Sequence, residues 1–278
     1  MSIYRRPWAR RRRLRAAASL LAAASLAACE PRDVAGNDVE ENAANAAEPA
    51  PAPVLPEPAR PLGRAQLLDL VRRAADAAAA GDPLPEADKQ LAGRSFEIRL
   101  PFGCPGEAER PDRWATADFD AKRGTLRLNA KPPLSQADSW LAEVAEDQPF
   151  DTAEGFWIER PWTTSEMCPP VLPATSEPSE AASPTVAIVE VFAPDAPRML
   201  QRGGRPYGIT RKLDSAEQAE GGFRLALGGH IAAFRDGYPV HCRVESNLRP
   251  PICVVAAEFA RIAFERAKDG AVLAEWPR

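Results

Sequence analysis

The sequence predicts a mainly β domain of the α+β class: an antiparallel β-sandwich or barrel-like unit with an N-terminal helix, accessory helices and two disulfides. Three observations carry this expectation. Beyond about residue 95, short apolar segments alternate with polar residues at period two and are parted by Gly- and Pro-rich turns. No helix of crossover length lies regularly between those segments, which argues against a doubly wound parallel sheet. Four cysteines fall in the same region, and an even set of this kind reads as a disulfide framework in an oxidising compartment.

The helix comes first. Leu67, Leu68, Leu70, Val71, Ala74, Ala75 and Ala78 form an apolar stripe near the 3.6-residue period, so 63–80 is read as helical. Gly81 and then Asp82-Pro83 stop it. The period changes to two at Phe96, Ile98 and Leu100, which alternate with Ser95, Glu97 and Arg99. Segments 114–120 and 125–130 read as two strands around a turn at 120–124. Segment 135–145, with Trp140, Leu141 and Val144, reads as a short helix. Segment 156–162 returns to strand, placing Phe156, Ile158, Arg160 and Trp162 on one face and Trp157 and Glu159 on the other. A Pro/Ser/Glu loop follows at 169–184. The remaining strands are 186–192, 207–213, 223–234, 240–244, 252–264 and 272–276. Gly228-Gly229 predicts a bulge or sharp bend in 223–234. Segment 252–265 fits a helix as well as a strand.

Four cysteines admit three pairings. Cys242 and Cys253 flank a loop containing Pro250 and Pro251, and both sit in strand-like segments. That spacing fits a clip between neighbouring strands. Cys104 and Cys168 then pair by default. A metal site is not expected: there is no Cys-x-x-Cys, and His230 and His241 are the only histidines. No cofactor is expected either. No Gly-rich phosphate cradle precedes a helix, and Gly203-Gly204, between Arg202 and Arg205, reads as a turn.

The N-terminus has its own pattern. Seven arginines between positions 5 and 15 precede an apolar run at 16–28, which closes on Leu26-Ala27-Ala28-Cys29. The run is too short to cross about 30 Å of hydrocarbon, which takes roughly 20 apolar residues. It resembles the signal sequence of a bacterial prolipoprotein, with Leu26 to Cys29 as the lipobox. The resemblance implies that residues 1–28 are removed as a signal peptide. It also implies that Cys29 is the lipidation site, carrying diacylglycerol and usually an acyl chain such as palmitate on its new α-amine. The Arg-Arg pairs before Leu14 and Arg15 loosely resemble a twin-arginine leader, and the export route stays open. Glu30, where an aspartate would retain a lipoprotein in the inner membrane, implies the periplasmic face of the outer membrane, with the inner membrane as the alternative.

Residues 29–63 are rich in Pro, Glu and Ala and contain no aromatic residue. Such a segment has little to bury against its ordering entropy and is read as a disordered linker. Residues 64–278 are long enough for a single globular domain with its own core. Removal of residues 1–28 takes away seven arginines and no acids, leaving 28 Lys+Arg against 39 Asp+Glu, a net charge of −11. An acidic chain without a basic patch argues against nucleic acid as a partner. The expected partners are the membrane, through the lipid, and an envelope protein or glycan.

No nucleophile motif stands out. A serine hydrolase would need His230 or His241, and both sit in settings that suit a structural histidine. Carboxylate acid–base chemistry would draw on residues such as Asp118, Asp120, Glu190 and Glu258, which alternating strands can bring to one face. The aromatic-dense segment around Trp157, Arg160 and Trp162 is a candidate ligand-binding surface, able to stack on a sugar ring or a peptide. The expected function is therefore a non-catalytic binding or structural role in the periplasm. The competing class is an envelope hydrolase using carboxylates or His230/His241.

Overall fold

One long strand organises the molecule, and it is the segment whose sequence fitted two elements. The computed structural model describes residues 59–106, 113–135, 141, 150–171, 184–197 and 200–278. Within it, Ile252–Arg266 is a 15-residue strand, β10. Cys253, Val255, Ala257 and Phe259 face the main core, and so do Ile262 and Phe264. The step from odd to even positions comes from a register shift between Phe259 and Arg261. One extra residue in a strand turns the following side chains to the other face. Here it keeps the apolar residues on the core side, and it mimics a helical spacing when read as sequence.

The other elements, in chain order, are α1 (Arg64–Ala80), β1 (Ser95–Phe102), β2 (Ala115–Asp120), β3 (Thr125–Ala130), β4 (Leu134–Ser135), β5 (Thr152–Trp157), β6 (Val186–Phe192), β7 (Tyr207–Lys212), β8 (Phe223–Ile231), β9 (Val240–Arg243) and β11 (Val272–Pro277). The fold is mainly β, with two sheets. The larger has eight strands along the path β1-β8-β10-β6-β5-β4, with β9 and β11 also paired to β10. The smaller is antiparallel, β2-β3-β7. All pairings are antiparallel except β6 with β10, which is parallel.

The two halves of β10 have different surroundings. Its first half lies between β9 and β6 and is apolar on both faces. Cys253 and Val255 enter the main core, while Val254 and Ala256 enter a second cluster with Leu134, Leu141, Ala153, Ala187, Val189 and Phe234. β6 is buried on both faces in the same way, which accounts for its nearly unbroken apolar run. The second half of β10 lies between β8 and β11. Its core face shares one apolar cluster with Leu126 and Leu128 of β3 and Tyr207 of β7, so the small sheet packs on the large one. Phe156 meets Phe259 and Trp114 edge-on, and Phe264 meets Trp276 edge-on, the offset geometry that aromatic quadrupoles favour.

Helix α1 packs on β1, β9 and β10 through Leu67, Leu70, Val71 and Ala74. Gln66 accepts the Gly63 N–H at its start, 3.0 Å. Gly81 closes it at φ 72°, a left-handed conformation that favours glycine.

Several expectations are corrected. The strand expected at 156–162 ends at Trp157, because the chain turns at Arg160, φ 51°. Phe156, Ile158, Arg160 and Trp162 therefore do not share a strand face. The bulge expected at Gly228-Gly229 lies instead in β10, and β8 runs through unbroken. The glycine is needed for close approach: a Cβ on Gly229 would sit 1.9 Å from the Glu258 carbonyl oxygen. The end of the expected linker is part of the fold, since Leu62 is buried and bridges to Phe96 of β1. Ser135 belongs to a strand rather than to the helix expected at 135–145. Leu141 is helical and the rest of that segment lies outside the described residues, as does Cys29.

Candidate functional site

Strand register places several loops at one end of the large sheet. Trp157, at the end of β5, pairs with Ala187 near the start of β6. Val186 pairs with Cys253 near the start of β10, and Ile252 pairs with Arg243 at the end of β9. The loop leaving β5 and the loop joining β9 to β10 therefore emerge from the same end. Their roots, on β5 and β10, lie two strand spacings apart, about 10 Å.

The first loop then leaves this end and runs along the free edge of β1, with Glu166 at Arg99 and Met167 at Arg224, to Cys104 just past Phe102, which lies through Phe223 level with Arg266 at the far end of β10. Among the described residues, seven large hydrophobic side chains are exposed, and five of them lie on these two loops. They are Trp162 (77% exposed), Met167 and Val171 on the first, and Val244 and Leu248 (95%) on the second.

Both loops are fixed from below. The first is held by Arg64, the first residue of α1, which is buried. Its guanidinium donates to the carbonyls of Glu159, Arg160 (3.1 Å) and Thr163 (2.9 Å). That grip offsets the left-handed backbone at Arg160, which costs a side-chain-bearing residue about 1–2 kcal/mol. Arg160 donates back to the Met167 carbonyl, 2.7 Å, and the Trp114 indole N–H donates to Glu159, 2.9 Å. Glu166 accepts the Arg99 N–H at 3.0 Å, covering part of the edge of β1. The Cys104–Cys168 disulfide, Cα–Cα 5.5 Å, ties the far part of the loop to the segment that follows β1. The second loop is clipped at its base by Cys242–Cys253, directly opposed on β9 and β10 with Cα atoms 4.0 Å apart. Both disulfides follow the pairing expected from the spacing, although the second, at 4.0 Å, lies below the usual lower Cα limit of about 4.4 Å. In the second loop Ser246 accepts the Leu248 N–H, 3.2 Å, and Arg243 pairs with Glu245, 3.2 Å.

Of the three residues expected to bind a ligand, only Trp162 is presented. Trp157 packs against the second core cluster, and Arg160 is engaged in bracing the loop. Leu248 and Arg64 were missed. An apolar tip inside a Cys-bounded loop was the available signal for Leu248, and nothing local marks Arg64.

The expected carboxylates do not converge as a group. Asp118 faces Arg127 across the small sheet, and Asp120 caps the turn that follows β2. Glu258 is exposed, opposite His230 on β8. Glu190 is buried and directly opposes Glu154 on β5. Like charges so placed repel, and the Arg278 guanidinium resolves this by bonding both carboxylates. Arg278 also donates to the Tyr207 hydroxyl, 2.8 Å, and Glu154 accepts the Arg202 backbone N–H. Burial pushes the Glu190 carboxyl up to about 7, aided by the negative charges of Glu154 and Glu258 and opposed by Arg278. Burial likewise pushes the Tyr207 hydroxyl up to about 12. His241 lies 3.2 Å from Asp236 and edge-on to Phe234, the setting of a packed structural histidine. His230 is exposed. Gly203-Gly204 forms a left-handed turn, as expected.

Fold and loops together define a disulfide-braced, mainly β domain with exposed apolar side chains on two braced loops. Comparison with models of protein families, with curated proteins and with solved structures finds no match to this chain.

Proposed function

We propose that this chain is a lipid-anchored envelope protein whose β domain is a non-catalytic binding module, with its two braced loops as contact surfaces. The observation that carries the reading is that five of the seven exposed large hydrophobic side chains among the described residues lie on two braced loops, one closed by Cys242–Cys253 and the other anchored by Cys104–Cys168. Braced loops lose little conformational freedom on binding, so more of their contact energy appears as affinity. Disulfides of this kind suit the oxidising side of a membrane, in keeping with the lipobox-like Leu26 to Cys29. The membrane is then a partner through the lipid, and the contact surface is directed to another envelope component.

The test has two parts. Mass spectrometry of the mature protein should find an acylated Cys29 at its N-terminus. Retention of residues 1–28 rejects the address. The double variant Trp162→Ala/Leu248→Asp should keep both disulfides and its melting temperature while the intact lipoprotein loses its envelope contacts. Unchanged contacts reject the two loops as contact surfaces.

A second reading, an envelope hydrolase, draws support from Glu190 and Glu154, a carboxyl pair whose members sit in unequal surroundings. Against it stands the closure of that pair: Glu154 is 3% and Glu190 9% exposed, both bonded to Arg278. A hydrolytic activity toward envelope glycan or peptide that Glu190→Gln abolishes without unfolding the domain would favour this reading.

A further inference from the structure

We infer that Met167 is a sulfoxidation site: a peroxide adds one oxygen to its Sδ, and the guanidinium of Arg224, which meets the bare sulfur, then holds that oxygen and tightens the loop against β8. This holds whether or not the loop is a contact surface. Access comes first. Met167 is 46% exposed and is the one methionine among the described residues. Oxidation of a side-chain sulfur follows its exposure. Placement comes second. The Met167 carbonyl accepts from Arg160 at 2.7 Å, its N–H donates to Ser165 Oγ at 3.3 Å, and its neighbour Cys168 is bonded to Cys104. The backbone beneath the sulfur is already fixed, so a stronger side-chain bond costs little further ordering.

The third observation is a guanidinium short of acceptors. Arg224 Nη1 lies 3.6 Å from Met167 Sδ, and a thioether is a weak acceptor. Nη2 reaches Glu265 at 3.5 Å, a long contact. Nε is buried and has no hydrogen-bond partner among the described residues. Buried donors left in this state are rare and call for a reason. Oxygen transfer supplies the acceptor. A sulfur lone pair on the open side attacks the outer oxygen of the peroxide, and the O–O bond breaks. The leaving oxygen takes the proton of the transferred one and departs as water or an alcohol. Sulfur gives up two electrons and the peroxide gains them. The sulfoxide oxygen carries partial negative charge, and a turn about Cγ–Sδ brings it onto Arg224. Hydrogen bonds with an ionised donor are about twice as strong as neutral ones. Met167 thus passes from an exposed apolar side chain to a polar tie between the loop and β8.

The experiment treats the full-length protein, both disulfides formed, with hydrogen peroxide. Peptide mapping should find the sulfoxide at Met167, formed at a rate within about tenfold of that of free methionine. Amide exchange over 163–168 should then slow about fivefold, the equilibrium factor of one added hydrogen bond. Met167→Gln, which presents an amide oxygen at the same reach, should show that slowing without peroxide. Met167→Leu should exchange like the untreated parent, with or without peroxide. Arg224→Met should still be oxidised at Met167 but show no slowing. A Met167 that resists peroxide overturns the inference, as does exchange over 163–168 that is unchanged or faster once the sulfoxide has formed. Equal slowing in oxidised Arg224→Met removes Arg224 as the receiver of the oxygen and overturns it too. Should Arg224→Met fail to fold, Met167→Gln against Met167→Leu decides: equal exchange in the two overturns the inference.

Discussion

Around Arg278, two carboxylates face one guanidinium with at most 12% of any of the three side chains exposed. Around Glu265, three guanidiniums and four carboxylates share a half-open sheet face. Glu265 is itself buried, but Arg99 (2.8 Å), Arg224 (3.5 Å) and Arg261 (3.9 Å) surround it. Glu97, Glu166 and Glu275 then balance those arginines from positions with more solvent. Both clusters carry one more carboxylate than guanidinium. The difference is where the surplus charge sits. On the open face it lies on Glu97 and Glu275, where water screens it. In the sealed cluster it has no such outlet, so a proton on Glu190 makes up the balance. Burial, more than the number of charges, decides how far a carboxyl is raised: it raises Glu166 on the open face as well, and carries Glu190 up to about 7.

The largest break in that comparison is Arg278→Met. It leaves two opposed carboxylates buried without a counter-charge, and removing one partner of a buried pair costs about 3–5 kcal/mol. Urea unfolding at pH 8 should show that loss, and at pH 5, where protons can neutralise the pair, a much smaller one. An equal loss at both values would mean that the cluster is not sealed.

Next is the pH dependence of the parent protein. Glu190 is raised from an ordinary 4.5 to about 7. Between those values the folded chain holds a proton that the unfolded chain has released. Stability therefore falls as pH rises from about 4.5 to 7 and is flat from this source above that, a loss of roughly 3 kcal/mol. Glu190→Gln should remove this fall. A variant with the parent's slope would assign the proton elsewhere.

Smaller again is Glu265→Gln. Its three arginines keep their other carboxylates, so the loss is that of charge-assisted hydrogen bonds, about 2 kcal/mol. Smallest is Arg261→Ala, which gives up a half-exposed pair with Glu275 and should cost under about 1 kcal/mol. If Arg261→Ala cost as much as Arg278→Met in the same urea titration, the contrast between open and sealed clusters would collapse.

Local periodicity made much of this fold legible. The apolar stripe from Leu67 to Ala78 marks α1, and the alternation at Phe96, Ile98 and Leu100 marks β1. The disulfides were legible because Cys242 and Cys253 flank a short loop, leaving one partner each for Cys104 and Cys168. The failures have physical causes. A bulge reverses the parity of β10 between Phe259 and Arg261, so its apolar residues stopped alternating. Segment 156–162 looked like a strand because nothing in its composition reveals that Arg64, nearly a hundred residues earlier, holds the backbone of Arg160 in a turn. The sealed cluster needs the register of β5 with β6 together with the reach of Arg278. Such pairings between distant segments leave no local signature, so Glu190 was recognised as a candidate while Glu154, Tyr207 and Arg278 were not.

The position of β10 also dictates an order of assembly. It is the strand that touches β6, β8, β9 and β11, yet it spans 252–266 of a 278-residue chain. A nascent chain halted before residue 252 can close hairpins such as β2–β3 and can pair β1 with β8 or β5 with β6. It has nothing to join those pieces into one sheet. Strand edges that end up in the middle of the large sheet stay open until the centre arrives, and open edges invite wrong pairing. Folding of this domain is thus a late, nearly whole-chain event with long-range pairings, the kind that runs slowly.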